Sequence, residues 1–562
     1  MAAPQSHWGR TIDQYTQAYG SAYTRKRIHS VEDIQHPTMA AIERISKVTP
    51  NKTNHGVTLS DLHSIQEFSR SPLAYSASAS PSLVSGCIRL MSTIQVAGKA
   101  SPFSYEYGYL CFRTMIIALS TCLLKNSTPP KLDAFTRYLS EEMADLPLME
   151  MLSSYVAMTV ESAVDHASAH RTETFNCILG WSRCTEHPRR EEIVSLVDAG
   201  TLLAILWDDR EMFLKAMANT VSPGLSPVVY LLWRSVIYER YLQEASVPQS
   251  EMLMVPFVEV FWRSYLTISS DQRRPFQLLS AVNYRYSQIW DDSPKHNHLD
   301  DSIQIMRAFA NQIWQRDSIF SSPDINDALN FIYHHSVPGY EVEIPRVLRA
   351  TIHQLWKNFL LASHQDPEEQ VAVMNNICST FMRIGEMLKP ISQNPEKPRA
   401  AKQILEMVAE SRLLDLVGRM LLTMEPSVSQ LFPGHAGVDE STRNGSLFHA
   451  SDVMFNIIAH LGPKVVVVDC FKLNEPDWWK FLVHLQFLKR MEIGPPLSFA
   501  FYGLAIEVWK SIWESLGYSS SSRGMMVCTY ARCAKPSIRI GAEYACGRCD
   551  QKVYCSARCQ AM

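Results

Sequence analysis

The sequence predicts a mainly α protein: a large multi-helix body, for which a solenoid-like stack is one arrangement, and a small C-terminal module of a different kind. Three observations predict it. Only 22 of the 562 residues are Gly, well below average use, while Leu, Met, Ala and Trp are plentiful, which disfavours turn-rich β architectures and low-complexity chains. From about Asp61 to Leu516 apolar residues recur at three-to-four spacing between Ser, Asn, Pro and Gly punctuation, the period of amphipathic helices. Of the 13 cysteines, seven are scattered over the first 524 residues and six fall in the last 38, so two populations need two explanations.

Charge and apolar runs narrow the partners. With 53 basic against 56 acidic side chains the formal charge is -3, so the chain as a whole does not advertise nucleic acid or an anionic membrane. The longest apolar stretch, Tyr109 to Leu124, is broken by Arg113, which leaves the eleven residues Thr114 to Leu124. That is short of the roughly 20 a bilayer needs, and no membrane partner is expected. The opening MAAPQSHWGRTIDQYTQ is polar and amphipathic, unlike a secretory signal, which points to an intracellular protein without choosing cytoplasm or nucleus.

Along the chain, residues 1–57 read as a polar, partly helical segment and 58–516 as the helical body. Ser226-Pro227 and Ser322-Pro323-Asp324 are helix starts, with Ser able to cap, Pro suited to the first turn and an acid favoured by the helix dipole. Leu355, Phe359 and Leu360 continue one apolar stripe; Leu405, Val408, Leu413, Leu416, Val417, Met420 and Leu421 form a broader one, and both read as core. Ser363–Pro367, Pro390–Pro398 and Leu431–Ser446 carry the turn signals of loops, and Val465–Val468 fits a strand or a buried helix start equally. Trp followed by a basic residue recurs at Trp233, Trp262, Trp356, Trp479 and Trp509, but the intervals of 29, 94, 123 and 30 keep no helix-pair period. A buried Trp whose neighbour snorkels a basic head to water explains the pattern better. Residues 517–524, GYSSSSRG, have the composition of a flexible linker, and 525–562 form the terminal module.

The tail places Cys528, Cys533, Cys546, Cys549, Cys555 and Cys559 in the pattern C-x4-C, x12, C-x2-C, x5, C-x3-C. Closely spaced thiolate pairs converge from tight turns on one Zn²⁺, and a closed tetrahedral site needs four ligands, so zinc is the expected cofactor. Disulfides fit neither this spacing nor the cytosolic look of the rest. By spacing alone the first four cysteines, in sequence order, could make one four-thiolate site and leave Cys555 and Cys559 over.

Tyr554, Cys555, Ser556, Cys559 and Gln560 match the Tyr-Cys-Ser-x-x-Cys-Gln element of the MYND-type zinc finger, which the last 35 or so residues resemble. The long helical region before the finger is also similar to that of the large MYND proteins of mushroom-forming fungi. The resemblance implies interleaved ligation: Cys528, Cys533, Cys555 and Cys559 on one zinc, with Cys546 and Cys549 opening a second site that a later His and Cys complete. Those two ligands, and the family's Trp, do not occur before Met562, so the expectation is that they follow in a longer protein, the alternative being a finger that works with one structural zinc and a weakly ligated or empty second site. The resemblance further implies docking of short, proline-containing peptides. Seven basic residues (Arg523 at the linker's end, then Arg532, Lys535, Arg539, Arg548, Lys552 and Arg558) against Glu543 and Asp550 give residues 523–562 a charge of +5 before metal and thiolates, read as a solvated face.

Other constellations read as structure. His166 and His170 stand one helical turn apart beside Asp165 and Glu161, but without the internal Glu of a metalloprotease helix they are a surface pair. Asp291 to Asp301 gathers four acids and two histidines in a Pro-containing loop ahead of a helix start. Asp208 and Asp209 are adjacent and point about 100° apart on a helix, so they do not converge on one substrate atom; Asp209 is expected to pair or cap, with Trp207, Phe213 and Leu214 in the core. Cys87, Cys111, Cys122 and Cys378 read as small buried hydrophobes. Phosphate-cradling and nucleophile-elbow motifs are missing, as is the Asn-His-x-Cys element of the SET methyltransferases that carry a MYND finger. The functional expectation is therefore a non-enzymatic interaction or scaffold protein. The alternatives are an enzyme with an unrecognised site in the helical body, or a transcription-related regulator touching nucleic acid through the basic finger.

Overall fold

The computed structural model describes residues 8–20, 32–49, 56–141, 147–170, 177–181, 190–221, 224–242, 247–283, 287–295, 297–314, 322–362, 366–394, 398–423, 447–490, 496–519, 526–528, 530, 533, 537–538, 544–545, 553–554 and 556–561. The chain is mainly α, as its periodicity predicts. The described residues cluster into two compact units, Met1–His296 and Asn297–Met562, with the division falling inside the acid- and histidine-rich loop.

The first unit is organised around the helix Glu106–Asn126, buried from Glu106 to Leu124. Helices Leu59–Phe68, Leu73–Ser78, Pro81–Ser92, Leu148–His170 and Ser226–Leu242 pack around it. This is the one described helix long and apolar enough to cross a membrane, and it is wholly enclosed by protein. Each fully buried Ile or Leu on it, such as Ile116, Ile117 and Leu119, contributes about 1.5–3 kcal/mol of transfer free energy. Arg113 is tolerated because its Nη1 donates to the Tyr109 hydroxyl (3.0 Å) and the Val221 carbonyl (3.3 Å) while its guanidinium lies over the Tyr109 ring. Gly108 is required for a different reason: a Cβ there would sit 2.2 Å from the Pro102 carbonyl oxygen. A small antiparallel hairpin, β1 (Gln95–Val96) and β2 (Lys99–Ala100), precedes this helix.

In the second unit the long helix Pro367–Ser392 packs against Ser322–His334 and Leu447–Ala459, and Glu475–Arg490 packs against Leu413–Thr423 and Pro496–Ser515. Asp366 starts the long helix, its carboxylate accepting the Glu369 N–H at 2.9 Å with Pro367 in the first turn.

Helices begin at Ser226 and Ser322 as expected, though the Ser226 hydroxyl makes no cap bond and its N–H instead donates to Gln272 Oε1 at 2.8 Å. Val465–Val468 lies within the helix Lys464–Phe471, entered from Pro463. The second apolar stripe is buried throughout, split between Pro398–Glu410 and Leu413–Thr423. Of the first stripe Leu355 and Phe359 are buried, but Leu360 is 55% exposed, since the face it shares with Leu361 turns away from the packed side. The segment Pro390–Pro398 is not wholly a loop: the helix runs through Pro390 to Ser392 before breaking. Snorkelling also fails at two positions, because Arg234 and Arg263 are buried beside their tryptophans. Arg263 is held by Glu259 one turn back, whose other oxygen accepts the Trp290 indole N–H at 2.8 Å. The loop expected over Leu431–Ser446 lies outside the described residues.

Candidate metal centre

The tail is built from elements too short to stand alone. β3 (Met526–Val527) pairs antiparallel with β4 (Ser537–Ile538), Val527 opposite Ser537, and β5 (Tyr544–Ala545) pairs antiparallel with β6 (Val553–Tyr554), Ala545 opposite Val553. The short helix Ala557–Ala561 packs against β5 and β6, β3 lies beside β6, and β4 rests on Glu475–Arg490 of the same unit. Two-residue strands supply so few ladder bonds that an isolated hairpin of this length does not persist in water.

What the first hairpin and the helix share is a cluster of thiols. Cys528 directly follows β3, and the Cys533 N–H donates to the Tyr530 carbonyl at 3.0 Å. Cys559 sits in the helix, its N–H donating to the hydroxyl of Ser556 at 3.3 Å, so Ser556 acts as an N-cap that satisfies an orphan donor and fixes the residue carrying the thiol. The Sγ atoms of Cys528, Cys533 and Cys559 all lie within 4.8 Å of one another. These residues are 0%, 3% and 8% exposed, with Tyr530 and Tyr554 packed against them.

This donor set could hold a metal ion, and three thiolates suit a soft or borderline one. Thiolates about 2.3 Å from a tetrahedral zinc ion stand about 3.8 Å apart, a separation compatible with sulfurs that all lie within 4.8 Å of one another. A trio of buried thiolates would be prohibitive without a bound cation, whereas the ion makes the same burial favourable. Cys546, Cys549 and Cys555 lie outside the described residues. The structure thus brings the first cysteine pair together with Cys559. Sequence reasoning missed the roles of Ser556, Tyr530 and Tyr554; the Ser three residues before Cys559 was the available signal, since an N-cap favours Ser at that spacing.

The remaining candidates find other partners. Among the described residues no second trio of Cys, His, Asp or Glu converges in this way. Glu161 accepts from Arg274 Nε at 3.2 Å, and the side chains of His166 and His170 lie outside the described residues. Asp300 and Asp301 occupy the first turn of Leu299–Trp314, where the helix dipole favours acids, while Asp291 and Asp292 end the helix Ser287–Asp292. Asp208 ends the helix Leu196–Asp208 and is exposed, whereas Asp209 is the buried cap residue between it and Arg210–Asn219, so the two carboxylates diverge at a helix junction and not within one helix. Asp209 accepts from the Ser101 hydroxyl (2.7 Å) and the Phe103 N–H (2.8 Å), and burial pushes its carboxyl up to about 7 against those bonds. Phe213 and Leu214 are core, whereas Trp207 is half-buried under the Arg210 guanidinium. Cys87, Cys111, Cys122 and Cys378 are buried, and burial raises all four thiols, Cys122 and Cys378 to about 12, which keeps them neutral and inert.

No family model, curated protein or solved structure matches this chain.

Proposed function

We propose that the C-terminal segment is a zinc-stabilised MYND-type finger and that the protein is an interaction or scaffold protein whose finger docks peptides. The observation that carries this reading is the meeting of Cys559 with Cys528 and Cys533, because it joins the Tyr-Cys-Ser-x-x-Cys-Gln element to the first cysteine pair. In this reading Cys555 supplies the fourth thiolate, and the zinc is structural: a site closed by four protein ligands leaves no position for water or substrate. Tyr530 and Tyr554 beside the cluster offer aromatic surface of the kind on which proline rings pack.

The test is a titration of short proline-containing peptides into the full chain, zinc-loaded and after treatment with a strong chelator, with zinc content measured in both. Saturable binding to the loaded form and its loss after chelation is the expected result. A chain that carries no zinc, or peptide binding indifferent to chelation, overturns the reading.

A further inference from the structure

The second unit holds a cavity of about 410 Å³, well away in sequence from the cysteine cluster, with His334 and Glu341 as the ionisable side chains of its lining. Two helices end at it: Ser322–His334, whose last turn brings Tyr333 and His334 to the wall, and Pro367–Ser392, whose last turn brings Pro390 and Ile391. A helix C-terminus carries about half a negative charge from carbonyls that have run out of intrahelical donors, so two of them facing one cavity favour a cation there. Between them the short helical turn Tyr340–Val342 contributes Glu341, the one acidic side chain of the lining, itself only 8% exposed.

The aromatic groups are placed to complement that charge. Tyr340 is buried and pinned, its hydroxyl donating to the Met387 carbonyl at 3.2 Å, so its ring cannot swing away from the wall. Burial, and after it the charge of Glu341, raises the Tyr340 phenol and keeps it neutral. Tyr333 is 39% exposed and its ring stands edge-to-face with His334, centroids 5.5 Å apart, at the mouth of the cavity. Glu341 is aimed by its own backbone: Oε2 accepts the Gly339 N–H at 3.0 Å, and Gly339 reaches this geometry at a φ of +111° that other residues rarely adopt. The opposite wall adds Pro338 and Pro390, apolar rings with no N–H to hydrate.

We propose that this cavity binds a small organic cation, a methylated ammonium whose charge faces Glu341 and the two helix ends and whose methyl groups pack on Tyr333 and Tyr340. Aromatic faces with a nearby carboxylate suit such a cation because its charge is spread over methyl groups, which lose little hydration on entering a partly apolar site. The volume is at the lower end of small-molecule sites and has room for a ligand the size of choline.

The experiment uses the full chain and two probes of the same shape: choline, and 3,3-dimethylbutan-1-ol, in which a neutral carbon replaces the quaternary nitrogen. Calorimetry or ligand-observed NMR should show saturable choline binding and roughly tenfold weaker binding of the neutral alcohol. Tyr333→Ala, a change at an exposed ring that leaves the fold intact, should weaken choline several-fold and leave the alcohol less affected. Glu341→Gln should weaken choline by roughly tenfold and narrow the gap between the probes. Equal affinity for the two probes, absence of choline binding, or choline binding indifferent to Tyr333→Ala overturns the proposal.

Discussion

Trp478 and Trp509 exchange hydrogen bonds: each indole N–H donates to the other's main-chain carbonyl, both at 3.0 Å. The two residues lie on Glu475–Arg490 and Pro496–Ser515, so one reciprocal pair sets the register of two helices. Trp478 also stacks on Trp513, and Trp513 on Tyr518, with interplanar angles of 12° at both steps. The sheet-like stack runs from the middle of the helix pair to the last described residues before the tail.

Because the bonds are reciprocal, the two tryptophans should not act independently. Trp509→Phe and Trp478→Phe each remove one indole donor and part of a buried ring, and each should cost about 2–4 kcal/mol. The double variant should cost at least roughly 0.5 kcal/mol less than the sum, since losing one bond lets the two helices shift and so weakens the other, whose main-chain acceptor is still present. Urea titration of the four chains checks this, and strict additivity would contradict it.

Gly517 terminates the last helix. Its N–H donates to the Glu514 carbonyl (2.9 Å) and the Tyr518 N–H to the Trp513 carbonyl (3.1 Å), the double bond of a Schellman motif, with Gly517 at a φ of +94°. A Cβ there would meet Lys464 Cε and Val468 Cγ2 at 2.9 Å. Gly517→Ala should therefore destabilise by about 1–2 kcal/mol from backbone strain alone. Gly200 is the contrast: helical, exposed and with nothing within 4 Å of a Cβ, so Gly200→Ala should stabilise by about 0.5–1 kcal/mol. Thermal denaturation should move the two variants in opposite directions.

These details show what the sequence could and could not carry. Helical periodicity is a property of local side-chain spacing, so the stripe from Leu405 to Leu421 was legible, although the break at Arg412, with a φ of +58°, was not. Leu360 was misread because a stripe says which face is apolar and not how wide the covering neighbour is. Buried Arg263 escaped because its compensation is partly tertiary: Glu259 is in reach by helical spacing, but Trp290, which anchors Glu259, comes from another helix. At the cysteine cluster the ligand chemistry was written in residue type and spacing, whereas the grouping of Cys559 with Cys528 and Cys533 depends on how two hairpins and a helix meet.

Asp209 should make the first unit's stability depend on pH in the direction opposite to a salt-bridged acid. Its folded carboxyl titrates near 7, raised by burial and then by Glu211 and Asp208, against about 3.9 in an unfolded chain. Below about pH 4 both states hold the proton and the group is neutral to stability. As pH rises from about 4 to 7 the unfolded chain ionises first, so stability falls, by up to roughly 4 kcal/mol, and above about 7 the loss is complete. Asp209→Asn should remove that slope and stay folded. Its amide oxygen can accept the Phe103 N–H while its NH₂ donates to Ser101, whose hydroxyl then turns to Ser104 at 2.7 Å. Denaturation midpoints of the two chains at pH 4.5 and 7.5 decide it: the slope should persist in the parent and flatten in the variant.

The cysteine assignment makes the last prediction. If Cys559 shares an ion with Cys528 and Cys533, Cys559→Ser takes a ligand from a site whose strands cannot hold themselves together, and the chain should lose one equivalent of tightly bound zinc with the order of the tail. Ser556→Ala keeps every thiol but removes the cap at Cys559, so it should keep the zinc and give it up to a chelator faster, with a local cost of about 1 kcal/mol. Cys470→Ser is the control, a half-buried thiol on Lys464–Phe471 outside the cluster, and should leave zinc content unchanged. Cys546→Ser separates the two groupings that spacing allows. Under interleaved ligation it leaves the ion on Cys528, Cys533 and Cys559 in place. Under sequential ligation it removes a ligand of that same ion, while Cys559→Ser then removes none. Zinc stoichiometry and tail NMR on these variants read the outcome directly: loss in Cys546→Ser with retention in Cys559→Ser would reverse the assignment, because the proximity of Cys559 would then be packing without coordination.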